Sequence, residues 1–244
     1  MSKSVLIIGA MSDIARATAR EYASHGWSVI LAARDSARLQ PDANDLQLRY
    51  NVAARIAEID VLDAATHTAF IDGLGALPDT VVCAVGLLGE QAQSAADAGV
   101  ADIILRTNFN APALLLGAFA NRMETRGSGC IIGISSVAGD RGRATNYIYG
   151  AAKAGFTAFL SGLRNRLAAR NVRVITVKPG FVATRMTEGM DLPELLTAQP
   201  QEVGAAIYAA EMRQRDIVYV RPVWRLIMLI IVHLPERLFK RMKL

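Results

Sequence analysis

The chain has 244 residues, 52% of them apolar and 20% charged, with a formal net charge of +5. So much apolar surface excludes a disordered chain, and no uninterrupted apolar run reaches the roughly 18 to 20 residues that a spanning helix requires. The charge is unevenly placed: residues 1–220 carry equal numbers of basic and acidic side chains, whereas beyond them Arg221, Arg225, Arg237, Lys240, Arg241 and Lys243 face Glu236 alone. A neutral body without a basic face or a recognition motif argues against nucleic acid as a partner. Cys83 and Cys130 sit in apolar, strand-like runs, and His25, His67 and His233 are scattered. These residues make neither a disulfide framework nor metal-ligand spacing, so no metal and a reducing, cytoplasmic compartment are expected.

In chain order, short runs rich in Val and Ile at 5–9, 28–33, 55–59, 80–85, 130–135 and 172–178 read as strands, apolar on both sides as in sheets covered on two faces. Segments of helical length lie between them at 13–25, 63–74, 102–125 and 147–169. Gly26 is placed to stop the first of these and Asp63 to cap the second. A helix at 201–214 and a last strand at 217–220 complete the series. Repeated βα units predict an α/β fold: a single Rossmann-like, doubly wound parallel sheet with helices on both faces, over residues 1–221. Ligands in such sheets bind outside the carboxyl ends of the strands, near the point where strand order reverses. Residues 222–244 form an apolar and basic tail of helical character.

The first strand runs into Gly9-Ala10-Met11-Ser12-Asp13-Ile14-Ala15 and then a helix. A tight turn there aims backbone N–H groups and the helix dipole at a pyrophosphate. Gly9 serves the turn and Ala15 is small enough for close helix–strand packing, while Met11, Ser12, Asp13 and Ile14 form the cradle. Asp13 stands where a glycine would be expected, and a carboxylate aimed at a pyrophosphate would repel it, so Asp13 is expected to cap the helix and point away. The second strand ends in Ala33-Arg34-Asp35. An arginine at that strand end suits a ribose 2′-phosphate, so NADP(H) is expected, with NAD(H) not excluded because Asp35 follows directly. Asp35 is read as a cap for the next helix. Asp60-Val61, after the third strand, places a carboxylate to accept from an adenine amino group or to cap a helix.

Tyr149-Gly150-Ala151-Ala152-Lys153 puts a phenol and an ammonium four residues apart on one helical face. A free tyrosine, with a pKa near 10, is a poor acid or base at neutral pH. A cation one turn away lowers that pKa by stabilising the phenolate. Thirteen residues earlier, at a strand end, Ser136 offers a hydroxyl for the same substrate oxygen.

On these residues the chain resembles the short-chain dehydrogenases/reductases over 4–220. The glycine turn 9–15 is similar to the family's motif with two glycines replaced, and Cys83-Ala84-Val85-Gly86 stands where the family carries Asn-Asn-Ala-Gly. Asn108, Ser136, Tyr149 and Lys153 align with its catalytic tetrad. Pro179-Gly180-Phe181-Val182-Ala183-Thr184 resembles the segment that lines the nicotinamide. The resemblance implies a cofactor held also by Ala84, Val85, Gly86, Pro179, Gly180, Val182, Thr184 and by Tyr149 and Lys153. It further implies reversible ketone reduction, with proton donation by Tyr149, oxyanion stabilisation by Ser136, a water relay positioned by Asn108, and a homo-oligomer, dimer or tetramer.

The tail, together with Val85-Gly86-Leu87-Leu88-Gly89-Glu90, is similar to decaprenylphosphoryl-2-keto-erythro-pentose reductases, which implies a keto-sugar on a polyprenyl phosphate as substrate. Pro235 suits the first turn of a new helix, in which Leu238, Phe239 and Met242 share an apolar side. A basic amphipathic end reads as a membrane-surface anchor at the inner face of the membrane; packing on a partner subunit or over the active site is the alternative. A soluble carbonyl or 3-oxoacyl reductase needs the same tetrad, and a non-catalytic NADP-binding sensor would not need it intact.

Overall fold

Alternation along the first strand sorts the core into two layers. In β1 (Ser4–Ile8), Val5 and Ile7 belong to one hydrophobic cluster and Leu6 and Ile8 to another, all four with no exposed surface. A strand buried on both sides must be covered on both sides. The computed structural model describes residues 2–242, so that Lys243 of the basic tail lies outside the described residues. On the face of Val5 lie α1 (Asp13–Ser24), α2 (Gln40–Tyr50) and α8 (Pro200–Met212). On the face of Leu6 lie α3 (His67–Gly73), α6 (Ala111–Arg126) and α7 (Tyr147–Leu167).

The remaining strands are β2 (Ser28–Ala33), β3 (Ala54–Glu58), β4 (Thr80–Cys83), β5 (Gly129–Ile134), β6 (Val172–Pro179) and β9 (Ile217–Val220). All pair parallel, in the order β3-β2-β1-β4-β5-β6-β9. This is the doubly wound sheet expected from the βα alternation. Order reverses at β1, which pairs β2 on one side and β4 on the other, so the crevice opens above Ile8 and Cys83, where the turn at Gly9 and the loop at 84–86 leave the sheet. A small second sheet joins β7 (Phe181–Val182) to β8 (Thr197–Ala198).

Three elements differ from the expectation. Helix α2 has no counterpart in the periodic reading, because only Ala43 and Leu46 of its eleven residues are buried and so thin an apolar stripe gives little signal. The helix expected over 102–125 is instead α5 (Ala98–Leu105), one π-helical turn at Arg106–Asn110, and α6, and a further short helix, α4 (Gln91–Ala96), precedes them. Pro112 explains the π turn: it has no N–H for the Asn108 carbonyl and its ring crowds that carbonyl, so the register widens by one residue and Ala111 N–H donates to Arg106. Ala98–Arg126 as a whole is long and apolar enough to cross a membrane, with half of its most apolar stretch buried inside the protein.

The tail forms α9 (Val223–His233) and the short α10 (Glu236–Phe239). Pro235 stands just before α10 rather than in its first turn, and Met242 falls beyond the helix, so Leu238, Phe239 and Met242 share no helical side. Trp224 and Met228 of α9 are buried in a third cluster with Val137. Arg141 fixes the far end of α9: its Nη1 donates to the carbonyls of Ile231 (2.5 Å) and Leu234 (2.6 Å), its Nη2 to Glu236 (2.9 Å), and Phe239 lies 3.8 Å from its guanidinium. The inner side of the tail therefore packs over the body.

Candidate active site

A cavity of about 360 Å³ opens at the carboxyl ends of β1, β4, β5 and β6. It runs from Ser12, Asp13 and Ile14 past Ala84, Val85 and Gly86 to Ser136, Tyr149 and Lys153, with Pro179, Gly180, Val182 and Thr184 opposite. Sheet topology thus brings together Ser12 and Thr184, which the chain separates by 172 positions. Of the residues expected at the site, Gly9, Met11, Arg34, Asp60, Val61 and Asn108 do not line the cavity; Arg34 stands at the end of β2, Asp60 and Val61 beyond the end of β3, and Asn108 behind the loop at 84–87.

The turn after β1 is built for close approach. Gly9 has φ +80, which favours glycine, and a Cβ there would meet the Ala84 carbonyl carbon and oxygen at 3.0 Å. Helix α1 is capped by Ser12, whose Oγ accepts from Ala15 N–H (3.2 Å), not by Asp13 as the sequence reading had it. Asp13 points away, as that reading required: its carboxylate accepts from Arg185 N–H (2.9 Å) and Nε (3.2 Å), while Arg185 Nη2 donates to Met11 O. The N–H groups of Met11, Asp13 and Ile14 have no partner among the described residues. Three free donors at the start of a twelve-residue helix, with the neighbouring carboxylate neutralised, fit a pyrophosphate.

At β2 the expected cap is absent. Asp35 lies in the left-handed region (φ 51) and makes no side-chain cap. Instead Glu58 accepts from the N–H groups of Asp35 (2.9 Å) and Ser36 (2.7 Å), and the Ser36 hydroxyl together with these N–H groups holds its carboxyl below the usual range. Arg34 is exposed and makes no bond among the described residues. Asp60 closes its own turn, accepting from Leu62 N–H (3.0 Å), and caps no helix; Asp63 takes that part, accepting from Ala65 N–H (3.3 Å).

The catalytic end is a close junction of β5 and α7. Ser135 anchors it, its Oγ bonding Lys153 O (3.0 Å) and Thr157 Oγ1 (2.7 Å). A Cβ on Gly139 would strike the Lys153 and Ala154 backbone at 2.7 Å, so only glycine lets the serine turn lie so close to the helix. Ser136 Oγ accepts from Ala138 N–H (3.1 Å) and interacts with the Tyr149 phenol. Burial pushes that phenol up to about 12, with the Ser136 interaction opposing the rise. Lys153 is buried, its Nζ donating to Ile134 O (3.1 Å) and lying 5.7 Å from the centre of the Tyr149 ring. Burial lowers its pKa to about 8, because desolvation disfavours the ammonium.

Asn108 is wholly buried in the π turn. Its Nδ2 donates to the carbonyls of Leu87 (2.6 Å) and Ile104 (2.9 Å), and its Oδ1 accepts from Leu87 N–H (3.1 Å). The side chain therefore clamps the loop after β4. A Cβ on Gly86 would come within 3.3 Å of Asn108 Oδ1 and 3.6 Å of Lys153 Nζ, so a side chain there would crowd both groups. Among the described residues no group of three or more His, Cys, Asp or Glu side chains could hold a metal ion.

Sequence reasoning missed three contributors. Arg185 neutralises Asp13 from 172 positions away, which no local pattern signals. Asp140 joins the serine loop to β6 and β9 through Lys178 Nζ (2.5 Å) and the Tyr219 hydroxyl (2.8 Å). Trp224, the start of the tail, lines the cavity.

The sequence model of the short chain dehydrogenase family matches residues 3–194, and the chain belongs to that family: it is an oxidoreductase of the short-chain type on a Rossmann-like fold. It is 37% identical over 241 residues to an uncharacterized oxidoreductase of Mycobacterium tuberculosis, covering 98% of this chain and 96% of that one. A sulfoacetaldehyde reductase of Chromohalobacter salexigens is 35% identical over 192 residues, covering 77% of this chain and 75% of that protein. Among solved structures, a short-chain dehydrogenase from Sphingobium yanoikuyae in complex with NADPH superposes with a TM-score of 0.80 at 26% identity, over 96% of this chain and 97% of that one.

Proposed function

We propose that this protein is an NADPH-dependent ketone reductase, acting on a small-molecule or lipid-linked carbonyl compound. The observation that carries the reading is the convergence of Ser136, Tyr149 and Lys153 on one cavity whose far end presents the free N–H groups of α1. The Sphingobium yanoikuyae structure holds NADPH and the Chromohalobacter salexigens relative is named for reduction of a carbonyl compound; both support it.

A bound nicotinamide supplies the hydride. The chain's own residues do the rest. Met11, Asp13 and Ile14 N–H hold the pyrophosphate, Arg34 the 2′-phosphate, and Val182 and Thr184 the nicotinamide side. Ser136 donates to the substrate oxygen and Tyr149 gives it a proton, stabilising charge as it develops. Lys153 favours the phenolate left behind. Asn108 spends its amide on Leu87 and Ile104, so the group it offers a relay water is its main-chain carbonyl, which Pro112 deprives of an α-helical donor.

Residues 226–232 support contact with a membrane surface at the inner leaflet. Leu226, Leu229, Ile230 and Val232 are each at least 44% exposed on α9, in a tail whose sequence also carries Arg225, Arg237, Lys240 and Arg241. A keto-sugar on a polyprenyl phosphate is the substrate such a surface would suit. Exposed Leu105 and Leu114 on the α5–α6 rod support assembly into a homo-oligomer, and buried, unbridged Cys83 and Cys130 a cytoplasmic setting. The test is oxidation of NADPH and, in parallel, NADH against a carbonyl panel that includes keto-pentoses. Loss of the NADPH preference in Arg34→Ala supports the 2′-phosphate role. No turnover of any carbonyl overturns the reductase reading.

A further inference from the structure

The substrate end of the cavity holds a cation that the reaction above does not use. Arg143 lies between the serine turn and α7, and its side chain lines the cavity beside Asn146 and Tyr149. Its Nε is buried without a partner, and the bond given for its guanidinium is a weak one, from Nη2 to the Met228 sulfur at 3.4 Å. Asp140 lies close enough to favour its charge, but among the described residues no carboxylate is hydrogen-bonded to it. Asp140 is committed to Lys178 and Tyr219, and Asp13, the acidic residue lining the cavity, is paired with Arg185.

Two neighbouring amides also leave a buried atom unpaired. Among the described residues the buried side-chain atoms without partners are Arg143 Nε, Asn146 Oδ1 and Gln91 Nε2, and all three gather at the start of α7: Asn146 precedes its first residue and Gln91 Oε1 accepts from Ile148 N–H (3.3 Å). Of the three, Arg143 and Asn146 line the cavity and Gln91 does not; Arg143 Nε is the donor among the two, and an unpaired buried donor beside a cavity is costly until a bound acceptor completes it. Guanidinium is the side chain best shaped for an oxyanion, through parallel N–H···O bonds. The other walls here, Phe181, Met186, Met190 and Trp224, are apolar.

We infer that Arg143 anchors an oxyanion carried by the substrate, so that the compound reduced at Tyr149 is a negatively charged carbonyl compound. The inference rests on the reductase reading for its reaction, but the anion site itself is testable without turnover. A soluble phosphate ester and a lipid-borne phosphate present the same oxyanion.

The experiment measures binding of geranyl phosphate, isopropyl phosphate and geraniol to the full chain loaded with NADP⁺, in wild type, Arg143→Gln and Arg143→Lys. Geranyl phosphate is expected to bind about tenfold or more weaker to Arg143→Gln, corresponding to about 1.4 kcal/mol or more, with part of the loss restored by Arg143→Lys. Arg143→Lys also guards against a folding defect in the glutamine variant, since it keeps the charge. Equal affinity in wild type and Arg143→Gln, or geraniol binding as tightly as geranyl phosphate, overturns the anchor. Tighter binding of geranyl than of isopropyl phosphate assigns the oxyanion to a lipid, and equal binding to a soluble ester. Failure of the reductase reading looks different: Arg143-dependent phosphate binding persists while no carbonyl oxidises NADPH. Conversely, turnover in which dihydroxyacetone and its phosphate share one KM, unaltered in Arg143→Gln, sinks the anchor and leaves the reductase standing.

Discussion

Gly180 and Trp224 stand so close that a Cβ on the glycine would fall 2.0 Å from the indole. The contact joins the segment after β6 to the first turn of α9, and the indole Nε1 holds it there by donating to Leu196 O (3.0 Å). Gly180→Ala must therefore push Trp224 out of the cavity wall. We expect a loss of about 1–3 kcal/mol in stability, the usual cost of overpacking, together with a raised KM for carbonyl substrates. Because Trp224→Ala removes the obstacle, the double variant should lose less than the sum of the singles. Urea midpoints of the four proteins measure this, and strict additivity would mean that the two residues do not press on each other.

Tyr149 is the proton donor in the proposed reaction, and Tyr149→Phe removes its hydroxyl while keeping the ring that lines the cavity. Tyr149→Phe is expected to lose turnover by at least about 100-fold, within the range typical of general acids, while NADPH titration gives a dissociation constant close to wild type. Turnover within a few fold of wild type in the purified variant would remove the phenol from the mechanism.

The site was only partly legible in the sequence. Ser136, Tyr149 and Lys153 could be found because strand-end and one-turn spacings are local, and the turn at Gly9 because it sits between two strongly periodic elements. The partner of Asp13 could not: Arg185 arrives from beyond β7 once the sheet has closed, and a lone arginine in a loop carries no pattern. The caps at 35 and 60 failed for a related reason. Asp35 and Asp60 are acceptors in turns, and whether such a residue caps a helix depends on its φ and on competitors such as Glu58 or its own i+2 N–H. The parallel sheet, by contrast, follows from β1, whose adjacent residues feed opposite cores. Helix α2 buries too little to announce itself.

Lys153 gives the pH dependence two separate signatures. With its pKa lowered to about 8, the ammonium is lost above that pH while Tyr149, near 12, stays protonated, so ketone reduction should fall on the alkaline side with an apparent pKa near 8. Stability moves the other way. Below about pH 8 both folded and unfolded chains carry the charge and its burial counts fully against folding. Between about 8 and 10.5 the unfolded chain holds a proton that the folded one has released, so stability rises with pH and then levels. Lys153→Met should abolish that rise and be more stable at pH 7 by up to about 3 kcal/mol. The check is the difference in urea midpoints between wild type and variant at pH 7 and pH 10; a gap that does not narrow with pH contradicts the assigned shift.

Deleting residues 222–244 is an unsuitable test of membrane contact, because the deletion also removes Trp224 and Met228, which pack on Val137, and Trp224 lines the cavity. The two sides of α9 can be separated instead. Leu226, Leu229 and Ile230 are 57–59% exposed, so Leu226→Gln, Leu229→Gln and Ile230→Gln together alter the outer side and leave the buried one untouched. Each exposed apolar side chain that enters a lipid surface contributes on the order of 1.5–3 kcal/mol when fully buried, and each nearby basic residue about 1 kcal/mol on anionic lipid. The triple variant should therefore lose sedimentation with vesicles of phosphatidylglycerol while reducing a soluble ketone at the wild-type rate. Wild-type protein that stays in the supernatant with such vesicles, or a triple variant that pellets as wild type does, would assign the outer side of α9 to another protein chain rather than to lipid.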